Sequence, residues 1–293
     1  MKVKVARTAG FCMGVRRALN LALDAARDCP PPISTLGPLI HNPQVVSLLA
    51  SRGVVSSDAV PERGTVVIRS HGIPPQTRAL LEERGLEVID ATCPRVARVH
   101  GIVSAHRAKG YLIVVLGDRD HAEVLGIMGA AEGGARLVSG PEEIAALPEA
   151  GKVCLVAQTT SERERFRRTA AALRQRYPQL GGDELAIADT ICDSTRDRQE
   201  AARALAREVE AVVVVGGKDS ANTRRLVEVA REMGAPAFLA ETEADLDPRE
   251  LGRFRLVGLT AGASTPNWMI RRVYDELRRM GPTGGEERKS LHR

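Results

Sequence analysis

A short strand that ends in a polar side chain and runs directly into a helix recurs along this chain at matched spacings. Three of these strand ends carry a cysteine, and they are Cys12, Cys93 and Cys192. The next polar strand end, at His41, His121 or Ser220, follows its cysteine after 29, 28 and 28 residues respectively. A unit that repeats about every 90–100 residues predicts three similar domains.

Alternation of strands with helices is typical of α/β proteins with parallel sheets. We therefore predict three similar parallel-sheet α/β domains related by a pseudo-threefold axis, spanning residues 1–92, 93–190 and 191–281. The remaining residues, 282–293, lack an apolar period and are predicted to be a disordered tail.

Each predicted domain places three polar side chains at the carboxyl ends of its strands, where parallel sheets bind their ligands. In chain order these are Cys12, His41 and His71, then Cys93, His121 and Thr159, then Cys192, Ser220 and Ser264. The repeat predicts that all nine loops line one cavity.

Composition narrows the class of protein. Aromatic residues make up only 3% of the chain, which argues against recognition of nucleic acid by base stacking. The net charge of +5 suits an acidic partner or a phosphorylated substrate. No secretory signal and no long apolar segment is visible, so a cytoplasmic protein with reduced thiols is expected.

The matched cysteines predict a metal centre. A helix N-terminus stabilises a thiolate, and three thiolates suit an iron–sulfur cubane with one iron left without a protein ligand. Zinc held by three cysteines and a water is the competing interpretation. Cys29 and Cys154 fall outside the matched set and are expected to be buried structural residues.

The other strand ends predict an anion site. His41, His71 and His121, together with the segment 220–222 and Ser264, offer imidazole, hydroxyl and amide groups near helix starts, a combination that suits phosphate. No nucleotide-binding glycine motif accompanies them. Glu123 would face like charge from a cluster and a phosphate, which raises a carboxyl pKa and suits a proton donor. The hydroxyl of Thr159 is a candidate proton relay.

Nine motifs, in order over about residues 1–280, resemble the LytB/IspH family of 4-hydroxy-3-methylbut-2-enyl diphosphate reductases. They are GFCMGVRRAL, GPLIHNPQVV, RSHG, DATCP, HAEVLGIMG, AQTT, DTICDSTRDRQ, GGKDSANTRRL and TAGAS. The resemblance implies a trefoil of three α/β domains around a 4Fe-4S cluster. It also implies the last step of the methylerythritol phosphate route to isoprenoids, with ferredoxin or flavodoxin as the electron donor.

The resemblance also implies a role for each matching residue. Cys12, Cys93 and Cys192 would hold the cluster, and Glu123 would donate a proton with help from Thr159. The expected substrate contacts are His41, His71, His121, Ser220, Asn222 and Ser264. Ala221 departs from the serine common in the family, which puts substrate affinity in question. Asp193 and Arg196 follow the third cysteine without an assigned role.

Two other functions use the same residue types. A redox-neutral iron–sulfur dehydratase also needs three cysteines and an open iron, but it turns over without a reductant. An iron–sulfur sensor would bind a phosphorylated metabolite without converting it. Replacing Glu123 would then leave its behaviour unchanged, whereas in an enzyme the replacement would stop turnover and leave binding intact.

Overall fold

A computed structural model describes residues 1–280, so the tail predicted for residues 282–293 lies outside the described residues. The twelve strands of the described chain form three separate parallel sheets of four strands each. This confirms the predicted α/β class with three parallel sheets. Within the described residues, no helix combines the length and the apolar character that a bilayer crossing requires.

The first sheet is built entirely from residues 33–90. Its strands are β2 (Ile33–Leu36), β3 (Val54–Ser57), β4 (Thr65–Ile68) and β5 (Glu87–Asp90). They lie in the order β3-β2-β4-β5. The central strand β4 is buried along its whole length, which is expected for an apolar strand with neighbours on both sides.

The second sheet repeats this order with the strands of residues 112–187. They are β6 (Leu112–Leu116), β7 (Ala135–Val138), β8 (Val153–Ala157) and β9 (Leu185–Ile187), in the order β7-β6-β8-β9. Residues 113–116 of β6 and the whole of β8 are buried.

The third sheet takes its fourth strand from the start of the chain. Its strands are β10 (Ala211–Val215), β11 (Ala237–Ala240), β12 (Leu256–Ala261) and β1 (Lys2–Val5). In the order β11-β10-β12-β1, the N-terminal strand occupies the position that β5 and β9 hold in the other two sheets.

This pairing differs from the domain boundaries predicted from the sequence. Strand β1 was expected within residues 1–92, but it pairs with β12, with Val3 opposite Val257. Each cysteine therefore follows the fourth strand of a sheet, rather than opening a new domain. The repeat spacing is the same in both arrangements, so the sequence alone does not distinguish them.

Three edge strands were also not predicted. Strands β3, β7 and β11 each follow the second helix of a repeat and pair on one side only. Their sequences VVSS, ARLV and AFLA are short and partly exposed, so they lack the long apolar run of a central strand.

Within residues 1–280, ten α-helices connect the strands. They are α1 (Met13–Asp28), α2 (Pro43–Ala50), α3 (Pro75–Glu83), α4 (Pro94–Ala108), α5 (Ala122–Ala130), α6 (Arg163–Arg176), α7 (Asp193–Ala206), α8 (Ala221–Glu232), α9 (Pro248–Leu251) and α10 (Asn267–Arg279). Short 3-10 turns lie at Pro141–Ala146, Gly182–Glu184 and Glu243–Asp245. Proline opens four of the helices, because the first helical residue needs no backbone donor.

The described chain divides into two compact units, residues 13–196 and residues 1–12 with 197–280. The larger unit contains the first two sheets. In its cores β4 packs against α3, and β6 and β8 pack against α5 on one side and α6 on the other. The smaller unit contains the third sheet, whose strand β10 is fully buried between two apolar clusters.

Candidate active site

Three histidines from the larger unit meet at the carboxyl ends of its strands. The ring centroids of His41 and His71 are 4.5 Å apart, and that of His121 lies 5.3 and 5.4 Å from them. One ring nitrogen from each lies within 4.8 Å of one from each of the others. The two sheets therefore bring together all three histidines that the sequence predicted as anion contacts.

This histidine cluster has the donor set for either a metal ion or an anion. His41 directly precedes the buried N-cap Asn42 of α2, and His121 is itself the N-cap of α5. Helix N-termini present backbone N–H groups and a partial positive charge, which attract anions and repel cations. The local electrostatics therefore favour an anion.

The protonation of these rings follows from their surroundings. Nδ1 of His121 accepts the backbone N–H of Glu123 at 3.2 Å, so a neutral His121 carries its proton on Nε2 and can donate from there. Burial is the main cause that holds the pKa of His71 well below its ordinary value, with further lowering from the nearby His41, His121 and Arg69. Without an anion present, His71 is therefore neutral.

Glu123 and Thr159 form a buried pair at the same edge of the second sheet. The carboxylate accepts the backbone N–H of Thr159 at 2.6 Å and its hydroxyl at 2.8 Å. Both residues are buried, with 2% of Glu123 and 6% of Thr159 exposed. Thr159 thus holds both oxygens of Glu123 in place.

Burial raises the pKa of Glu123 to about 7. The two hydrogen bonds from Thr159 act in the opposite direction, and the charge of Asp118 adds a small further increase. The sequence predicted a raised pKa but attributed it to like charge, whereas the main cause within the protein is desolvation. A carboxyl group with this pKa can both hold and release a proton near neutral pH.

Each of the three matched cysteines is tied by its backbone N–H to the loop after the third strand of its sheet. Cys93 donates to Ser70 O at 2.9 Å, and Cys192 donates to Thr159 O at 3.0 Å. In the smaller unit, Cys12 donates to Ala263 O at 3.1 Å. These acceptors lie at or next to His71, Thr159 and Ser264, so each predicted metal ligand is bonded to a loop with a predicted substrate or proton group.

Two of the cysteine loops share a turn that the sequence analysis missed. In both, an aspartate three residues before the cysteine accepts the backbone N–H two residues ahead: Asp90 binds Thr92 at 2.9 Å, and Asp189 binds Ile191 at 3.1 Å. The signal was present as Asp-x-x-Cys in DATC and DTIC. Such a side-chain turn sets the approach of the chain to the cysteine.

The loop before Cys12 is shaped instead by a glycine and a buried arginine. Gly10 has φ of +109°, and a Cβ there would lie 2.7 Å from Oδ1 of Asn267. Its carbonyl accepts a hydrogen bond of 2.6 Å from the buried side chain of Arg198. The glycine is therefore required both by its backbone conformation and by the close approach of Asn267.

The smaller unit carries the remaining predicted contacts on polar, uncharged side chains. Ser220 caps α8 by accepting the N–H of Thr223 at 3.3 Å. Asn222 is only 4% exposed, and neither Nδ2 nor Oδ1 has a hydrogen-bond partner among the described residues. Ser264 is buried after β12. A buried amide with both polar atoms unsatisfied is costly unless a ligand completes it.

The two unmatched cysteines lie away from these loops. Cys154 is fully buried within β8, and burial raises the pKa of its thiol to about 12, so the expectation of a structural residue is confirmed. Cys29 is only partly buried, and its thiol lies 3.9 Å from a carboxylate oxygen of Glu87.

Comparison with known proteins gives consistent matches over nearly the whole chain. The family model described as "LytB protein" matches residues 3–278. The 4-hydroxy-3-methylbut-2-enyl diphosphate reductase of Anaeromyxobacter sp. (strain Fw109-5) is 45% identical over 281 residues, covering 95% of this chain and 97% of that protein.

Solved structures agree with the sequence match. The E-1-hydroxy-2-methyl-but-2-enyl-4-diphosphate reductase of Plasmodium falciparum superimposes with a TM-score of 0.89 at 26% identity, covering 100% of this chain and 95% of that one. A structure described as (E)-4-hydroxy-3-methyl-but-2-enyl diphosphate reductase, the terminal enzyme of the non-mevalonate pathway, gives a TM-score of 0.69 at 38% identity, covering 95% and 100%.

Proposed function

This chain belongs to the LytB family, and we propose from that premise that it is a 4-hydroxy-3-methylbut-2-enyl diphosphate reductase. The reaction removes the allylic hydroxyl of (E)-4-hydroxy-3-methylbut-2-enyl diphosphate. Two electrons and two protons enter, the C–O bond breaks, water leaves, and isopentenyl or dimethylallyl diphosphate forms. The residues of the candidate site are suited to binding the diphosphate and to delivering a proton.

The cofactor in this proposal is a 4Fe-4S cluster held by Cys12, Cys93 and Cys192. The donor set suits it, because each cysteine precedes a helix and each is partly exposed rather than sealed in a core. Zinc is disfavoured because it carries no electrons and a reductase needs a redox group. When bound, the cluster supplies the electrons and, at an iron without a protein ligand, Lewis acidity.

The diphosphate is assigned to the histidine cluster together with Ser220, Asn222 and Ser264. His121 donates from Nε2, and His71 gains a proton when an anion lies beside it, because an opposite charge favours the charged imidazole. The unsatisfied amide of Asn222 gains the hydrogen bonds that it lacks within the described residues. The backbone N–H groups at the starts of α2 and α5 add further donors.

Glu123 is assigned as the proton donor to the departing hydroxyl. Its pKa of about 7 keeps a substantial fraction protonated near neutral pH, and His121, the N-cap of the same helix, lies two residues before it. Thr159 orients the carboxyl group through two hydrogen bonds, and its hydroxyl, which donates to the carboxylate at 2.8 Å, is the proposed proton relay. This buried pair is the observation that carries the proposal.

Anaerobic reconstitution with iron and sulfide tests the assignment. The wild-type protein is expected to develop broad visible absorption and to consume the substrate when dithionite and a viologen are supplied. The Cys93→Ser variant is expected to lose both properties. Cys29→Ser is the matched control, because Cys29 lies outside the matched set and the variant should retain both. A cluster-loaded wild-type protein that does not consume the substrate would remove the assignment.

The same assay separates the alternative iron–sulfur functions. Turnover without any reductant would identify a redox-neutral dehydratase. Normal substrate binding without turnover in both the wild-type protein and the Glu123→Gln variant would identify a sensor.

The remaining partners in this proposal follow from the family. The electron donor is a ferredoxin or a flavodoxin, and the net charge of +5 favours association with an acidic carrier of this kind. Nucleic acid and membrane are not partners in this assignment, and the reaction takes place in the cytoplasm.

A further inference from the structure

An ion pair joins the segments that follow two of the cysteines. Nη2 of Arg95, two residues past Cys93 in the first turn of α4, lies 2.7 Å from Oδ2 of Asp193. Asp193 directly follows Cys192 and is the first residue of α7. The other carboxylate oxygen of Asp193 lies 3.2 Å from Nη2 of Arg196, one turn further along the same helix.

The backbone bonds of these two cysteines leave them on separate sheets. Cys93 is tied to Ser70, after β4 of the first sheet, and Cys192 is tied to Thr159, after β8 of the second. Neither bond connects the two cysteine loops. The contact between Arg95 and Asp193 spans 98 residues of sequence and crosses directly from one cysteine-bearing helix start to the other.

We propose that Asp193 is a positioning residue that holds the starts of α4 and α7 together and thereby fixes the separation of two thiolate ligands. This inference rests on the proposed function, since it assigns a role toward the cluster. Ligands held at the required separation release a bound group more slowly than ligands that move apart. Arg196 restrains the Asp193 carboxylate in the orientation that meets Arg95.

The expected effect is modest, because the two side chains are 46% and 48% exposed and water screens the pair. We expect cluster release to a chelator to be about two- to fivefold faster in Asp193→Asn and in Arg95→Gln. The double variant should be no faster than the singles, because both changes remove one interaction. Added salt should accelerate release from the wild-type protein but not from the variants.

The experiment uses the cluster-loaded full chain under anaerobic conditions, with visible absorbance and iron and sulfide content as the readouts. Arg98→Gln is the matched control, since Arg98 is an exposed arginine one turn further along α4. It should release the cluster at the wild-type rate. Asp193→Glu keeps the carboxylate and should restore most of the retention. Circular dichroism melting verifies that each variant is folded.

Release at the wild-type rate from Asp193→Asn, or rate increases that multiply in the double variant, would overturn the positioning role while leaving the proposed function intact. A wild-type protein that takes up no iron and sulfide would instead overturn the proposed function and this inference together.

Discussion

The two units of the molecule carry equivalent loops with different chemistry. In the larger unit, the loops after the first and third strands carry His41, His71, His121 and Thr159, the last of these bonded to Glu123. In the smaller unit, the equivalent positions carry Ser220 and Ser264, with Asn222 in the first turn of α8. The topology is the same, yet among the described residues at these loop positions only those of the larger unit include imidazoles and a carboxyl group with a raised pKa. Under the proposed function, proton delivery and charge compensation would therefore be concentrated in the larger unit.

The largest expected effect is the loss of turnover in the Glu123→Gln variant. Removing the proposed proton donor while keeping its shape should lower turnover about 10²- to 10⁴-fold and leave substrate binding nearly unchanged. Steady-state turnover with excess reductant, compared with calorimetric binding, measures the two effects separately. Asp118→Asn is the control, since Asp118 adds only a small electrostatic contribution to the pKa of Glu123. A Glu123→Gln variant with wild-type turnover would mean that Glu123 does not supply the proton.

His71→Asn tests charge compensation in the same unit. Loss of a charge-assisted hydrogen bond should weaken substrate binding roughly 10- to 100-fold. Because the pKa of His71 is depressed without an anion, diphosphate binding takes up a proton, and affinity in the wild-type protein should fall as pH rises. That pH dependence should become shallower in the variant. Calorimetry in two buffers with different ionisation enthalpies detects the proton uptake, and identical uptake in both proteins would contradict the assignment to His71.

Stability against pH tests the buried carboxyl group independently of turnover. The pKa of Glu123 rises from its ordinary value of 4.5 to about 7 on folding. Between these values the folded state binds the extra proton, so the wild-type protein should lose stability as pH rises through this window. Glu123→Gln removes this loss, which amounts to roughly 1–3 kcal/mol. Urea unfolding at about pH 5 and about pH 8 measures this loss of stability. An equal pH effect in both proteins would mean that Glu123 is not the group with the raised pKa.

Ser264→Ala examines the uncharged predicted contacts of the smaller unit. Loss of a neutral hydrogen bond should weaken substrate binding about 2- to 12-fold, because such a bond contributes about 0.5–1.5 kcal/mol. The effect should be independent of pH between about 6 and 8, since a serine hydroxyl does not ionise there. Binding curves at both ends of that range provide the measurement. A loss of affinity that changes with pH would contradict this distinction between the units.

Ala221→Ser should have the smallest effect and the opposite sign. The variant restores a hydroxyl at the start of α8, where family members commonly carry serine, and should tighten substrate binding by no more than about tenfold. Ala221 is 9% exposed, so the small hydroxyl needs little rearrangement. Competitive binding against the wild-type protein resolves a change of this size, and weaker binding would show that the position is closed to substrate.

Much of this arrangement could be predicted from local sequence. Buried strands such as AVVVV, polar strand ends and helix starts are encoded within a few residues of one another, so most central strands and the meeting of the three histidines were predicted. The repeat spacing also predicted three parallel sheets. These features depend on local periodicity and turn chemistry.

The features that could not be predicted depend on pairing between distant segments. Nothing in KVKV specifies that β1 pairs with β12 more than 250 residues later. The burial that raises the pKa of Glu123, and the contact of Arg95 with Asp193, likewise arise only when separate elements pack together. By contrast, the Asp-x-x-Cys turns are local and could have been recognised from their repetition in DATC and DTIC.

The bond from each cysteine amide to the loop after the third strand has a mechanical consequence. The donor N–H and the thiol belong to the same residue, so a displacement of Ser70, Thr159 or Ala263 pulls directly on a proposed metal ligand. Arrival or departure of a substrate at the neighbouring side chains would then be transmitted to the metal centre through a single peptide unit. Substitutions in these loops should therefore alter the redox and spectroscopic behaviour of the centre even where they leave every thiol in place.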